Sequence, residues 1–245
     1  MYHQVDAEPS KGSPMRGLVV SPKTFARQMA AMNFLGYQGK SMGDLLPYLN
    51  GEKHGKVFGI TFDDGYENNL RCALPVLKRY GFSSTCYIVA NQVGKTNSWD
   101  LGRGVIQVPL MDAPQLQAWV DAGQEVGSHT LNHVNLESVS DAEQAMEISQ
   151  SKALLEALVQ QSAGVQHFCY PYGGLNKTAV QNVKSAGYLT ATTTVRGRAV
   201  QGQSDKLLLP RVLVSRTTTW MQLLMKCLSR YEDKRAVNHP SDVYA

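Results

Sequence analysis

The chain has 245 residues, enough for one large domain with a substantial core, and its 43% hydrophobic and 18% charged residues exclude a disordered chain. A formal charge of +4, with Lys and Arg spread along the sequence, reads as solubility and not as nucleic-acid binding. The four cysteines, Cys72, Cys86, Cys169 and Cys227, form no CxxC pair; this excludes a zinc knuckle or thioredoxin-type centre and leaves buried free thiols. No apolar run approaches the roughly 20 residues of a membrane helix. No charged start followed by an apolar core lies near Met1, so the chain as given predicts a cytoplasmic protein, whereas a trimmed chain would be periplasmic or extracellular.

Short apolar segments alternate with helical patterns from end to end, as in repeated β-α units with a parallel sheet. Strands are predicted at Met1–Val5, Leu18–Val20, Val57–Phe62, Ser84–Val89, Glu125–Ser128, Val165–Tyr170, Leu189–Thr193 and Leu207–Val214. Ser21-Pro22 has the form of an N-cap with Pro at the first helical position and opens a helix to Met32, with Phe25, Met29 and Met32 on one face. Glu67–Tyr80 is helical in its leucine spacing, carries Pro75 as a possible kink, and stops at Gly81. Asp112 and Ser140 begin capped helices ending near Gly123 and Gln161, and Asn176–Ala186 and Thr218–Arg230 complete the set. One domain over residues 1–231 is expected, with a loosely ordered polar tail over 232–245.

Chemistry concentrates at predicted strand ends, where ligands collect in parallel α/β folds. Thr61-Phe62-Asp63-Asp64-Gly65 puts two adjacent carboxylates at one such end, able to divide metal holding from proton transfer. Gly127-Ser128-His129-Thr130-Leu131-Asn132-His133 follows another, and its two imidazoles, four residues apart, can converge on one ion. With one carboxylate they form a two-His, one-carboxylate set suited to Zn²⁺, Fe²⁺, Co²⁺ or Ni²⁺. Either motif alone is more often a turn or a packed histidine; their joint placement favours the metal site. Phe168-Cys169-Tyr170-Pro171-Tyr172-Gly173-Gly174 closes a third strand and, taken alone, is a turn. Among aromatic residues, Trp99 lies in a polar loop and Tyr66 and Tyr172 beside the motifs, whereas Trp119 and Trp220 have the spacing of core residues.

These segments together resemble the polysaccharide deacetylase family with NodB homology: Thr61–Gly65 matches its TFDDG motif, His129–His133 its H-[ST]-x-x-H motif, and Tyr170–Gly173 its Pro-containing loop. The resemblance runs from the start of the chain to Val214 and is nearest the branch containing biofilm poly-N-acetylglucosamine deacetylases. It implies a single distorted (β/α) barrel of about seven parallel strands, circularly permuted. It also implies one divalent metal ion, Zn²⁺ first with Co²⁺, Ni²⁺ or Fe²⁺ as alternatives, held by Asp64, His129 and His133. Asp63 would be the general base, His3 the acid that protonates the leaving amine, and the Tyr172 N–H an oxyanion donor. Tyr66, Trp99, Pro171, Tyr172 and Gly173 would contact the substrate, an acetylated amino-sugar polymer or glycoconjugate losing its N-acetyl groups.

Two departures accompany the resemblance. Cys169 occupies the position where many members have the arginine that orients the base; Arg211 is the candidate replacement, with a rim arginine equally open. The late histidine motif of unpermuted members is absent, leaving its role to His3. A catalytically silent carbohydrate-binding barrel, and a deacylase of a small amide or lipid-linked sugar, are the competing readings.

Overall fold

The computed structural model describes residues 1–235. Ten strands and seven α-helices alternate along that span. The strands are β1 (Gln4–Val5), β2 (Val19–Val20), β3 (Gln38–Lys40), β4 (Val57–Gly59), β5 (Thr61–Phe62), β6 (Thr85–Ile88), β7 (Glu125–Ser128), β8 (His167–Cys169), β9 (Thr190–Arg196) and β10 (Leu209–Arg211). The helices are α1 (Pro22–Phe34), α2 (Met42–Leu49), α3 (Leu74–Tyr80), α4 (Ala113–Asp121), α5 (Asp141–Leu158), α6 (Lys177–Ser185) and α7 (Trp220–Leu228).

Six parallel strands in the order β10-β9-β8-β7-β6-β5 form a curled half-barrel, and β1-β2 and β3-β4 are separate parallel pairs. Among the described residues the expected seventh strand is not present as such. Instead, Met1 and Tyr2 span the gap between the sheet edges: the Tyr2 N–H donates to the Thr61 carbonyl (2.8 Å) and the Asp63 N–H to the Tyr2 carbonyl (3.0 Å). On the far side the Met1 amino group donates to the Val212 carbonyl (2.9 Å), and the Val214 N–H donates to Met1. The strand expected over Leu207–Val214 therefore shortens to β10, because its last residues turn toward Met1.

The strand expected over Val57–Phe62 divides at Ile60, whose N–H bonds to Lys40 while its carbonyl accepts from Thr85. The backbone thus passes from β3 to β6 within one residue. Gly39 is required for this approach, since a Cβ there would lie 2.5 Å from Ile60 Cδ1. The expected Glu67–Tyr80 helix is unbroken, with Asn68, Ala73 and Leu74 all right-handed helical, but it widens into a π-helical turn over Asn69–Ala73 just before Pro75, and α3 is its last segment. The caps at Ser21, Asp112, Ser140, Asn176 and Thr219 all accept from backbone N–H groups, and Gly81 ends α3 with φ 63°.

The core lies between the half-barrel and its helices, where Phe25 meets Tyr2 edge-on (5.2 Å) and Phe62 meets Trp119 edge-on (5.9 Å). Trp119 is core as expected, but Trp220 is exposed at the start of α7. Glu232, assigned to the loose tail, is buried; it accepts from Arg196 Nε (2.6 Å) and pairs with Lys226 (3.2 Å). Glu232 thus packs against the domain, and residues 236–245 of the expected tail lie outside the described residues.

Candidate active site and metal centre

Asp63 and Asp64 follow β5, His129 follows β7, the Pro171–Gly173 turn follows β8, and Arg211 ends β10. All of them sit at or beyond the carboxyl ends of strands of one parallel sheet, so the sheet brings them together. The Asp64 Oδ1 atom lies 3.5 Å from His129 Nε2 and 3.3 Å from His133 Nε2, and the three donor atoms fall within 4.8 Å of one another. His129 Nδ1 is 2.7 Å from the Cys169 carbonyl, which can only accept, so Nδ1 carries a proton and Nε2 is the nitrogen turned toward the cluster, with a lone pair to offer when the ring is neutral.

The backbone is bent to achieve this. Asp64, Thr130, His133 and Tyr172 have left-handed φ values of 75°, 65°, 60° and 59°, and four of the five non-glycine residues of that kind among the described residues belong to the site. At Gly173 (φ 75°) a Cβ would fall 1.9 Å from Thr194 Oγ1, so only glycine fits the turn that carries Tyr172. The His129–His133 turn is held by a residue that the motif does not contain. Glu147, buried on α5, accepts the N–H groups of Leu131 and Asn132 (both 2.9 Å) and the Asn132 side-chain amide (2.6 Å). Asn69 does the same for the first strand, donating to the His3 carbonyl (2.7 Å) and accepting from the Val5 N–H (3.1 Å). The sequence signal for Glu147 is its position among Gln144, Ile148, Ser151 and Leu155 on the buried face of α5.

Arg211 resolves the question posed by Cys169. Its Nη1 and Nη2 donate to the two oxygens of Asp63 at 2.6 and 2.9 Å, a bidentate pair buried on both sides. Further donations to the Thr193 carbonyl (2.8 Å), Thr61 Oγ1 (3.3 Å) and Cys169 Sγ (3.1 Å) fix the guanidinium. Cys169 thus packs against an arginine from a different strand. His3 Nε2 lies 3.9 Å from Asp63 Oδ2. Burial alone would push the Asp63 pKa up, but the Arg211 guanidinium and the His3 imidazole outweigh it and bring it below the ordinary value. Burial likewise opposes charge on Asp64, and the imidazoles of His133, His3 and His129 hold its carboxyl well below the usual range. His129 is pushed up to about 9 because Cys169, Asp63 and Asp64 overcome the desolvation that works against its charge.

This donor set fits a divalent cation: two imidazoles and one ionised carboxylate converge from rigid strand ends, with one tautomer fixed. Of the expected substrate contacts, Tyr172 is exposed, and Trp99 and Gly173 are half-buried. Tyr66 and Pro171 are buried, as are the two aspartates and two histidines of the cluster; burial, then the Asp64 charge, pushes the Tyr66 hydroxyl pKa up.

The family model for polysaccharide deacetylase matches residues 50–191, a span that contains both the Asp-Asp-Gly and the His-His motifs. The chain belongs to the polysaccharide deacetylase family, and its half-barrel is the NodB-like deacetylase fold. It is 28% identical over 165 residues to the poly-beta-1,6-N-acetyl-D-glucosamine N-deacetylase of Staphylococcus epidermidis, covering 64% of this chain and 54% of that protein. Among solved structures, a polysaccharide deacetylase from Bacillus cereus is 27% identical with a TM-score of 0.76, covering 92% of this chain and 66% of that one. IcaB from Ammonifex degensii is 27% identical with a TM-score of 0.74, covering 91% and 92%. The chain spans about half to two thirds of the length of the curated relatives it matches. No helix among the described residues is long and apolar enough to cross a membrane.

Proposed function

We propose that the protein is a metal-dependent hydrolase that removes N-acetyl groups from an amino sugar in a polysaccharide or glycoconjugate. The observation that carries this reading is the adjacency of two carboxylates with separate partners, Asp64 facing two imidazoles and Asp63 gripped by Arg211. Asp64, His129 and His133 would hold the divalent ion, Zn²⁺ in the first instance. Bound there, it supplies Lewis-acid charge and brings the pKa of a water from about 15.7 toward about 7.

Asp63 takes the proton from the attacking water. Its two oxygens are fixed by Arg211, so its remaining lone pairs point in a set direction, and its lowered pKa keeps it ionised at neutral pH. His3, whose Nε2 lies 3.9 Å from Oδ2 of the same carboxylate, would give its proton to the departing amine, which is a poor leaving group without it. The Tyr172 N–H, on its left-handed turn, would donate to the oxyanion of the tetrahedral intermediate. The Arg211 pair gives Asp63 the orienting group that Cys169 does not supply, which supports the hydrolase reading over a catalytically silent carbohydrate-binding barrel.

The experiment is acetate release from acetylated glucosamine oligomers and from monosaccharide amides, before and after chelation and Zn²⁺ return. Chelatable release from oligomers is expected. Release confined to small amides would reassign the substrate, and bound metal without release from any acetylated glycan would restore the silent reading.

A further inference from the structure

The two histidines that face Asp64 are held in different ways. His129 is anchored through Nδ1 to the Cys169 carbonyl, whereas His133 Nδ1 is buried and has no hydrogen-bond partner among the described residues. The ring torsion of a histidine is broad and roughly two-fold, so a polar anchor or a packed surface must set it. At His133 the surface is aromatic. Trp99 stacks on its ring at 4.6 Å with an interplanar angle of 16°, and Tyr172 meets it edge-on at 4.6 Å and 84°. The Arg103 guanidinium in turn lies over the Tyr172 ring, 4.8 Å from its centre.

Trp99 and Arg103 belong to the same short 3₁₀ segment, Ser98–Arg103. Its base is fixed by buried Asn97, which accepts from the Val108 N–H (2.8 Å) and donates to the Ile106 carbonyl (3.3 Å), and by Ser98 Oγ donating to Gln92 (3.1 Å). One turn therefore supplies two jaws, with the His133–Tyr172 pair between them. We propose that Trp99 is a positioning residue that sets the ring of His133 for metal binding, and that the 98–103 turn clamps this ligand to the Tyr172 loop.

The inference rests on the metal-dependent reading above and adds to it a support for His133 made of stacking in place of a hydrogen bond. Loss of an outer partner of a ligating histidine costs about 10–100-fold in metal affinity. The test is titration of the metal-free full chain with Zn²⁺ against a competing chelator, and with Co²⁺ followed by its visible absorption, for wild type, Trp99→Leu and Trp99→Phe. Trp99→Leu should weaken Zn²⁺ binding by about 10–100-fold and change the Co²⁺ spectrum. Trp99→Phe, which restores a stacking face, should return both toward wild type; a merely structural role would lower the melting point without this rescue. Arg103→Ala removes an exposed side chain, so it reads the second jaw even if Trp99→Leu does not fold, and it should loosen Zn²⁺ by a smaller factor. Wild-type affinity and spectrum in Trp99→Leu, or in Arg103→Ala should the former not fold, overturn the clamp while leaving the metal site standing. A wild-type chain that binds no Zn²⁺ overturns the metal reading and the clamp with it.

Discussion

Asp63 keeps its charge in a buried position because one guanidinium meets both of its oxygens and is itself bonded to Thr193, Thr61 and Cys169. The arrangement lowers the pKa of Asp63, the proposed base, without placing a competing donor on Asp64. It also gives a pH signature. Burial raises the Asp63 pKa and Arg211 more than offsets it, so weakening the pair must move the pKa upward. Arg211→Lys cannot reproduce the two-pronged contact. Because the base must be ionised, the acid limb of the pH–rate profile should shift to higher pH in that variant, with bound metal unchanged. An unmoved acid limb would show that Arg211 does not tune Asp63. Arg211 was only half legible in the sequence: its place on a late strand suggested reach toward the site, but the 148 residues that separate it from Asp63 are bridged only by the sheet.

At the scale of elements, the site is a set of short turns held from behind by helices. Glu147 on α5 is the clearest case, since three donors of the His129–His133 turn converge on one buried carboxylate. Glu147→Gln replaces one accepting oxygen with an amide that faces N–H donors, and should cost about 1–3 kcal/mol in chemical denaturation. Zn²⁺ affinity should fall with it, because the turn sets His133. A variant as stable as wild type would mean that the turn holds itself. The motif residues were legible because each motif is local, with strand, turn and candidate metal-binding side chain within a few positions. Glu147 and Asn69 were not, because they act on backbone groups 15 to 66 residues away. The pair β3 and α2 escaped for another reason: β3 is only three residues long, and α2 carries Gly43 and Pro47. The short helix persists because its first N–H groups dock on the barrel, Met42 on Thr85 (2.8 Å) and Gly43 on Glu125 (3.1 Å).

For the whole molecule, closure is achieved at two seams that the strand pattern did not reveal. One is the Met1–Tyr2 bridge across the sheet edges; the other is Glu232, which ties the residues after α7 to Arg196 on β9 and to Lys226. Burial would raise the Glu232 pKa, but the bonds from Arg196 and Lys226 lower it below its ordinary value near 4.3. The contribution of Glu232 is therefore present above pH about 4.3 and is lost as pH falls through the lower folded value. Glu232→Gln should be less stable than wild type by about 1–2 kcal/mol at pH 7, and the gap should narrow in acid. A gap that does not change with pH would mean that the charge is not what holds this seam.

The central claim is that two neighbouring carboxylates have separate tasks, Asp64 holding the metal and Asp63 moving the proton. The most direct measurement is bound Zn²⁺ and acetate release, determined together, in Asp64→Ala and Asp63→Asn. Asp64→Ala should lose the metal and the activity. Asp63→Asn should keep about one Zn²⁺ per chain and lose about 10²–10⁴-fold in turnover. Equal metal loss in both variants, or full turnover in Asp63→Asn, would contradict the division.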